Sequence, residues 1–423
     1  MSVISFLPIV IALGGFYFLI KLRCFFILHP KLILKEISSE LKKPSAFSSL
    51  MLALAGTLGV GNIIGVAVGI SVGGTGSVFW LLLSSLFSSV IKYCEVAIAT
   101  DKSAVGMAAV ISKSFRRYGG ALAKIYTLLC LLLSLTMGTA LQSRSIGEIA
   151  ELSIGVAPEA LVLPLVIFLL FFMLGGASLI EKGVKYIIPT TTILYVLMCL
   201  CIIIPNFFGI PALVCDILSS AFNSRSAYGG FLGFITSNAL KEGFARGMLS
   251  NEAGAGTSAL AHARAEERSA FTGGLFGMLE VLFDTVILCP LSAFAILLSG
   301  IDFSKISPAA AVIISFKSRI VFGDILLFIC ILFFALSTIL CWYYYGSFCC
   351  EDLFGKKVRR IFAAVFILSC VIGLFFSTSE LISVTDTILF LMTLITLMTL
   401  FRNSGRISEL TDKFIKEKRG YHK

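Results

Sequence analysis

GTLGVGN, residues 56–62, and SNEAGAG, residues 250–256, each set glycines beside short polar side chains inside an apolar run. A glycine in a helix interior costs up to about 1 kcal/mol relative to alanine, so such words weaken any helix that contains them. Backbone that leaves the helix there frees carbonyls able to coordinate a cation and half-helix N-termini able to face a carboxylate. The opposing explanation is close helix packing, and Gly61, Gly65, Gly69 and Gly73 do keep a four-residue spacing. Packing accounts for the second half of the 55–77 stretch and leaves GTLGVGN unexplained. Asp284 also lies deep in an apolar stretch, one turn after Glu280 and on the same helical face. An acid in that setting is a functional hypothesis by default. The expectation is a buried structural pair with Lys241 or Arg246, with proton carriage or ion placement as the alternative.

The elements that must position these residues follow from composition. Of the 423 residues 58% are apolar and 14% charged, with mean hydropathy +0.99. A soluble domain has about a quarter of its residues charged. Apolar runs of about 18 to 25 residues recur along the chain, each long enough to cross a bilayer core. The reading is an all-α polytopic membrane protein. Twelve cysteines without a CxxC pair and three scattered histidines give no zinc spacing and read as buried thiols and isolated rings. The net charge of +10 sits in short loops and the tail, which suits topology signals and anionic lipid rather than nucleic acid.

Eleven spans are expected, at about 3–20, 47–72, 77–99, 121–142, 160–180, 187–208, 231–262, 271–299, 322–346, 358–378 and 381–401. The first has its basic residues after it, so it reads as a retained span and not a cleaved signal. With the N-terminus outside and the C-terminus cytoplasmic, alternate loops divide the loop Lys and Arg 25 to 5 in favour of the inside. Lys92 and Glu95 then lie near an inner membrane face and read as a cytoplasmic gate pair or an interfacial anchor. The tail from Arg402 to Lys423 reads as a lipid-touching basic anchor, partly disordered. Without the first span, the two interrupted segments become span one and span six of ten. Five spans per half is odd, so the halves have opposite topology, and the breaks of an inverted repeat should meet near the midplane. The organisation is an extra helix at 1–22, repeats at 23–208 and 209–401, and a tail at 402–423.

Several words resemble the alanine or glycine:cation symporter family of bacterial and archaeal amino-acid carriers. They are GTLGVGNIIGVA (56–67), GSVFW with KYCEVA (76–80, 92–97), GTALQSRSIGE (138–148), GFARGMLSNEAGAGTSALAHA (243–263), GLFGMLEVLFDT (274–285) and STILCWYYYG (337–346). The resemblance spans about 50 to 380. It implies sodium-driven uptake of alanine or glycine across a bacterial inner membrane by a leucine-transporter-type 5+5 core with broken first and sixth helices. It implies substrate contact by Thr57, Gly59, Gly61 and Asn62 of the first break, by Gln142, by Ser250, Asn251 and Gly254 of the second, and by Trp342. It places the sodium ion at carbonyls around Thr57 and Val60 with the hydroxyls of Ser337 and Thr338. No other cofactor is implied. Ser347, Cys341, Thr139 and Arg144 depart from the family's usual residues. From the residues alone, Trp342 reads equally as a lid over a small substrate or as part of an aromatic belt with Tyr343, Tyr344 and Tyr345.

Proton-coupled symport on the same fold is the alternative to sodium coupling. A channel would repeat a filter motif, and none is present. Ser250, Glu252 and His262 could form a hydrolytic set only on paper, since His262 lies twelve residues beyond Ser250. The chain carries no GxxxxGK[ST] nucleotide loop.

Overall fold

The computed structural model describes residues 6–101, 106–222, 237–262, 269–303 and 306–420, and every regular element among them is helical. The order begins α1 (Leu7–Lys21), α2 (Pro30–Glu40), α3 (Pro44–Thr57), α4 (Ile64–Gly73), α5 (Ser77–Ala99), α6 (Met107–Ser114) and α7 (Gly119–Ile154). It continues with α8 (Pro158–Ile203), α9 (Ile210–Ala221), α10 (Asn238–Asn251), α11 (Ala270–Leu298) and α12 (Pro308–Lys317). The last four are α13 (Gly323–Phe354), α14 (Arg359–Gly373), α15 (Thr378–Arg402) and α16 (Ser404–Gly420). Among the described residues α5, α7, α8, α11, α13 and α15 are long and apolar enough to cross a membrane.

The 46 residues of α8 would extend about 69 Å at 1.5 Å per residue, twice a hydrocarbon core. Gly176, at φ 71° and ψ −171°, divides them. The turn therefore falls at 176 and not in the expected basic loop 181–186. Glu181, Lys182 and Lys185 instead form early turns of the second segment, because they are good helix formers and glycine tolerates that φ. Two other expected bounds move: α7 runs on to Ile154, past 142, and the seventh span contracts to α10 plus a short turn, Ala259–His262. Its expected beginning, 231–236, lies outside the described residues, as do Arg225 and Lys305.

The basic tail is also more ordered than its composition suggests. It forms α16, whose apolar face docks on the bundle: Phe414 stacks on Phe271 at 3.8 Å and Thr411 bonds Tyr93 at 2.7 Å. Arg406 pairs with Asp101 at 3.0 Å. An amphipathic period within the charged stretch carries that face; residues 421–423 lie outside the description.

Small residues set the helix contacts that matter for the site. Along α4 and the break before it, a Cβ on Gly61, Gly65, Gly69 or Gly73 would meet Leu249, Leu249, Arg246 and Glu242 in turn. One series ascends as the other descends, so α4 and α10 lie antiparallel. The four-residue glycine spacing is thus a packing stripe. α5 is wedged between α10 and α11, where a Cβ on Gly243 would come within 2.6 Å of the Ser77 carbonyl and one on Gly274 within 2.6 Å of Tyr93.

Candidate functional site

The first break joins α3 to α4 through a single 3-10 turn, Val60–Asn62. Leu58 (φ −74°, ψ 72°) and Gly59 (φ −118°, ψ −159°) leave the helical region, and every residue from 57 to 63 is buried. The surrounding helices supply the partners that the helix no longer provides. Gln142 accepts the Val60 N–H at 3.3 Å and donates to the Met137 carbonyl at 3.1 Å. That carbonyl belongs to a π-turn in α7, Thr136–Ala140, where one extra residue re-aims the backbone. From α13, Thr338 donates toward the Leu58 carbonyl at 3.4 Å and Trp342 Nε1 donates to the Gly56 carbonyl at 3.2 Å.

Five of the expected site positions are therefore brought together: Gly59, Val60, Gln142, Thr338 and Trp342. A Cβ on Gly59 would stand 3.0 Å from both Gln142 Oε1 and Thr338 Oγ1. Trp342 is fully buried, edge-on to Tyr345, so the aromatic-belt alternative is excluded. Ser337 turns its hydroxyl to the Phe334 carbonyl at 2.8 Å, and the Thr57 hydroxyl leans back to Ala53 and Leu54. The Val60 carbonyl accepts from Ile63 N at 3.2 Å. The oxygen facing Thr338 is that of Leu58, a residue whose side chain gave no sign of it. Arg144 points away from Gln142, donating to the Leu374 carbonyl at 3.1 Å.

The second break begins where Glu252 takes φ 53°, followed by Gly254 at 89° and Gly256 at 75°. Three positive φ values in five residues cannot continue a right-handed helix. Asn251 starts the turn by accepting the Ala253 N–H at 2.9 Å, the local bond that makes asparagine a turn residue. Charged groups from α5 and α11 hold this segment. Lys92 caps the Asn251 carbonyl at 2.9 Å, and Glu95 Oε2 accepts the N–H groups of Gly254 at 2.8 Å and Gly256 at 3.2 Å. Glu280 accepts from Ser258 at 2.8 Å, pairs with His262 and lies 3.5 Å from Lys92.

Lys92 and Glu95 have no exposed side-chain surface, so neither is an interfacial anchor; they brace the second break. The structure does not bring Gly254 to the first break but packs it on Glu95 and Thr393. Ser250 and Asn251 meet Thr285 of α11 at 3.1 and 3.0 Å. Thr285, and the parts of Glu280 and His262 in this clamp, were not foreseen. Their only signal was a buried acid and a histidine flanking a glycine-rich turn. Ser250, Glu252 and His262 each bond elsewhere, to Thr285, Thr257 and Glu280, and form no hydrolytic set.

The two breaks are connected through α11, where Asn62 donates to the main-chain oxygen of Asp284 at 3.4 Å. Asp284 sits in a second π-turn, Leu282–Leu288. The expected pairing of its carboxylate with Lys241 or Arg246 does not occur. Arg246 is engaged by Asp386 of α15 and by Glu242, one turn away on α10, at 3.3 Å. The rotation of α10 that seats Gly243 and Gly247 on α5 turns Arg246 toward α15. There it borders a cavity of about 560 Å³ lined by Arg144, Glu148, Glu242, Ser377 and Asp386 together with apolar α4 side chains.

A family model described as the sodium:alanine symporter family matches residues 1–423. The chain belongs to that family. It is 30% identical to the sodium/alanine symporter AgcS of Methanococcus maripaludis over 386 residues, 88% of this chain and 84% of that protein. Against the uncharacterized transporter YflA of Bacillus subtilis it is 30% identical over 444 residues, covering 98% and 92%. The probable sodium/glutamine symporter GlnT of the same organism is 29% identical over 332 residues, covering 74% and 67%. The chain is thus a transporter of the symporter type and not an enzyme, with apolar helices fit for a membrane.

Proposed function

We propose that the protein imports a small neutral amino acid, alanine or glycine, together with sodium by alternating access. The observation that carries this reading is the antiparallel meeting of two interrupted helices, α3–α4 and α10, at Gly61 and Leu249, with the Asn62–Asp284 bond tying the first of them to α11. Discontinuous helices paired in this way supply both ion and substrate ligands in secondary transporters.

The order of elements supports a 5+5 inverted repeat behind the extra helix α1. Each half gives a broken helix, a packing helix (α5, α11), a short helix (α6, α12), a very long helix (α7, α13) and two more spans. The second half has α14 and α15 where the first has the two segments of α8. That count makes eleven spans, with repeats at 23–208 and 209–401. The charge bias supports an N-terminus outside and the α16 tail in the cytoplasm of a bacterial inner membrane.

Within this frame the substrate lies against the first break, Gln142, Ser250, Asn251 and Trp342. One sodium ion lies at the Leu58 carbonyl and Thr338, near Thr57, Val60 and Ser337. Trp342, backed by Gly138 and Tyr345, closes the pocket to long side chains. The test is uptake of labelled alanine and glycine into proteoliposomes. Accumulation is expected only under an inward sodium gradient; equal accumulation under potassium or a proton gradient alone would refute sodium coupling.

A further inference from the structure

The helix α16 crosses a seam between two packed bodies. One body carries the second break: α5 and α11 are joined so closely that a Cβ on Gly274 would come within 2.6 Å of Tyr93, and one on Gly277 within 2.9 Å of Val96. The other body is α6 with α7, joined where a Cβ on Gly119 would come within 2.1 Å of the Ser112 carbonyl. That body also carries Gln142, the partner of the first break. The two bodies touch at the second break itself. Tyr126 of α7 donates to the Ala255 carbonyl at 2.6 Å, and a Cβ on Gly256 would stand 2.6 Å from that hydroxyl and 2.9 Å from Met107 of α6. The Tyr126 bond joins neutral groups and contributes little net free energy, so the seam can part there unless something else holds it.

α16 holds it from outside. Ile407, Thr411 and Phe414 stand four and three residues apart and form one buried face. Thr411 shares its bond with Tyr93 of α5, and Phe414 stacks on Phe271 of α11. The entry to α16 is fixed to the other body. Asn403 donates to Ser114 of α6 at 2.6 Å, and the Arg402 guanidinium lies 5.5 Å above the ring of Phe115, the next residue. The hold is partial. Arg406 is 43% exposed, so its pair with Asp101 adds little. A cavity of about 310 Å³ remains under the helix, lined by Thr100, Asp101, Phe271, Arg406 and Phe414 among others. A segment held by few buried contacts opens locally at low cost.

We propose that α16 is a strap that keeps this seam shut, and that its release limits how fast the second break opens the site. This rests on the alternating-access reading above. In the orientation proposed there, α5 ends and α11 begins at the cytoplasmic face, so the strap governs discharge into the cell. It acts through both anchorages at once: cutting either one frees the α5–α11 body from the α6–α7 body.

The test cuts each anchorage separately. Phe414→Ala with Thr411→Val removes the ring stack and the shared bond, which weakens docking about tenfold. Asn403→Ala with Arg402→Gln cuts the opposite end. Both double variants are expected to raise the turnover of labelled alanine uptake in proteoliposomes several-fold, with sodium dependence retained. Hydrogen exchange is expected to quicken at 404–416 and at 251–258. Phe414→Leu keeps an apolar group in place and is expected to stay within twofold of wild-type turnover. Faster exchange at 404–416 with unchanged or lower turnover would make α16 a passive anchor and overturn the proposal. Unchanged exchange there in both double variants would show that these contacts do not hold the helix, and would overturn it too. So would a lowered melting temperature with lost uptake in both, which would make α16 part of the folded frame. If wild-type protein accumulates no alanine under a sodium gradient, the symport reading itself fails.

Discussion

Replacing Gly59 by alanine separates transport from folding. Gly59 sits at φ −118° and ψ −159°, extended backbone that alanine adopts without strain. The unfolded chain loses freedom on that change, which by itself stabilises by about 0.4–1 kcal/mol. The added methyl, however, would lie 3.0 Å from Gln142 Oε1, 3.0 Å from Thr338 Oγ1 and 3.1 Å from Gln142 Nε2. Ordinary contact begins near 3.4 Å, so these groups must retreat by a few tenths of an ångström. Neither can do so freely. Gln142 is tied to Val60 and Met137, and Thr338 to Phe334 at 2.9 Å and Leu58 at 3.4 Å. Losing one or two such bonds costs about 1 kcal/mol each, or roughly 5- to 30-fold in affinity. The expected result is an alanine KM and a half-saturating sodium concentration raised by that factor, with a melting temperature equal to or slightly below wild type, because the entropic gain offsets only part of the lost bonds. The assay is initial-rate uptake in proteoliposomes beside thermal unfolding in detergent. Both kinetic constants within twofold of wild type would refute the placement of substrate and ion at this break.

Trp342→Phe removes the bond to the Gly56 carbonyl and opens space beside Gly138. Competition uptake is expected to show larger neutral amino acids gaining on alanine by several-fold, and an unchanged ranking would remove Trp342 from the selectivity wall. Arg246→Ala or Asp386→Ala alone leaves a buried charge unpaired and is expected to destabilise by about 3–5 kcal/mol, measured as a fall in melting temperature. Arg246→Met with Asp386→Leu is expected to recover most of that loss, and additive losses would show that the two side chains are not coupled. Glu95→Gln keeps one acceptor for Gly254 but leaves Lys92 with Glu280 as its remaining carboxylate. Proteolysis or hydrogen exchange at 252–258 is expected to quicken while 58–63 stays unchanged, and equal protection of both breaks would refute the clamp.

How far the sequence reaches is seen by comparing Gly61, Gly65, Gly69 and Gly73 with Asp284. The glycine stripe could be recognised because its period belongs to one helix, and any partner fits a row of missing side chains. The partner of Asp284 could not be read, since it depends on how α10 is rotated, and that rotation is set by Gly243 and Gly247 against α5. The same dependence hid the Leu58 carbonyl, a main-chain atom exposed only by the extended turn of the backbone at Gly59. Both breaks were legible from glycines beside short polar residues. The turn at Gly176 was misplaced because a pair of lysines outweighed a single glycine in deciding where a hydrophobic run ends. The tail was misjudged for a related reason: charge density hid an apolar face that only Phe271 and Tyr93 could reveal.

The two interruptions look alike in composition, yet they are held by different physics. Around 251–258 the freed N–H groups end on Glu95 and the Asn251 carbonyl on Lys92, while Glu280 accepts the Ser258 hydroxyl, in charge-assisted bonds of 2.8–3.2 Å. Such bonds are about twice as strong as neutral ones, and their members come from α5 and α11. The second break is therefore bound to those two helices and shifts only when they do. Around 58–63 the partners are neutral and the bonds are long, 3.2–3.4 Å from Gln142, Thr338, Trp342 and Asn62. Each can be exchanged for a bond to an ion or a carboxylate at little net cost. A symporter must exchange ligands on one surface while keeping the opposite surface intact. On the proposed symport reading, the uneven distribution of charge suits the first break to the exchange and the second to the bracing, although sequence composition gives both the same glycines.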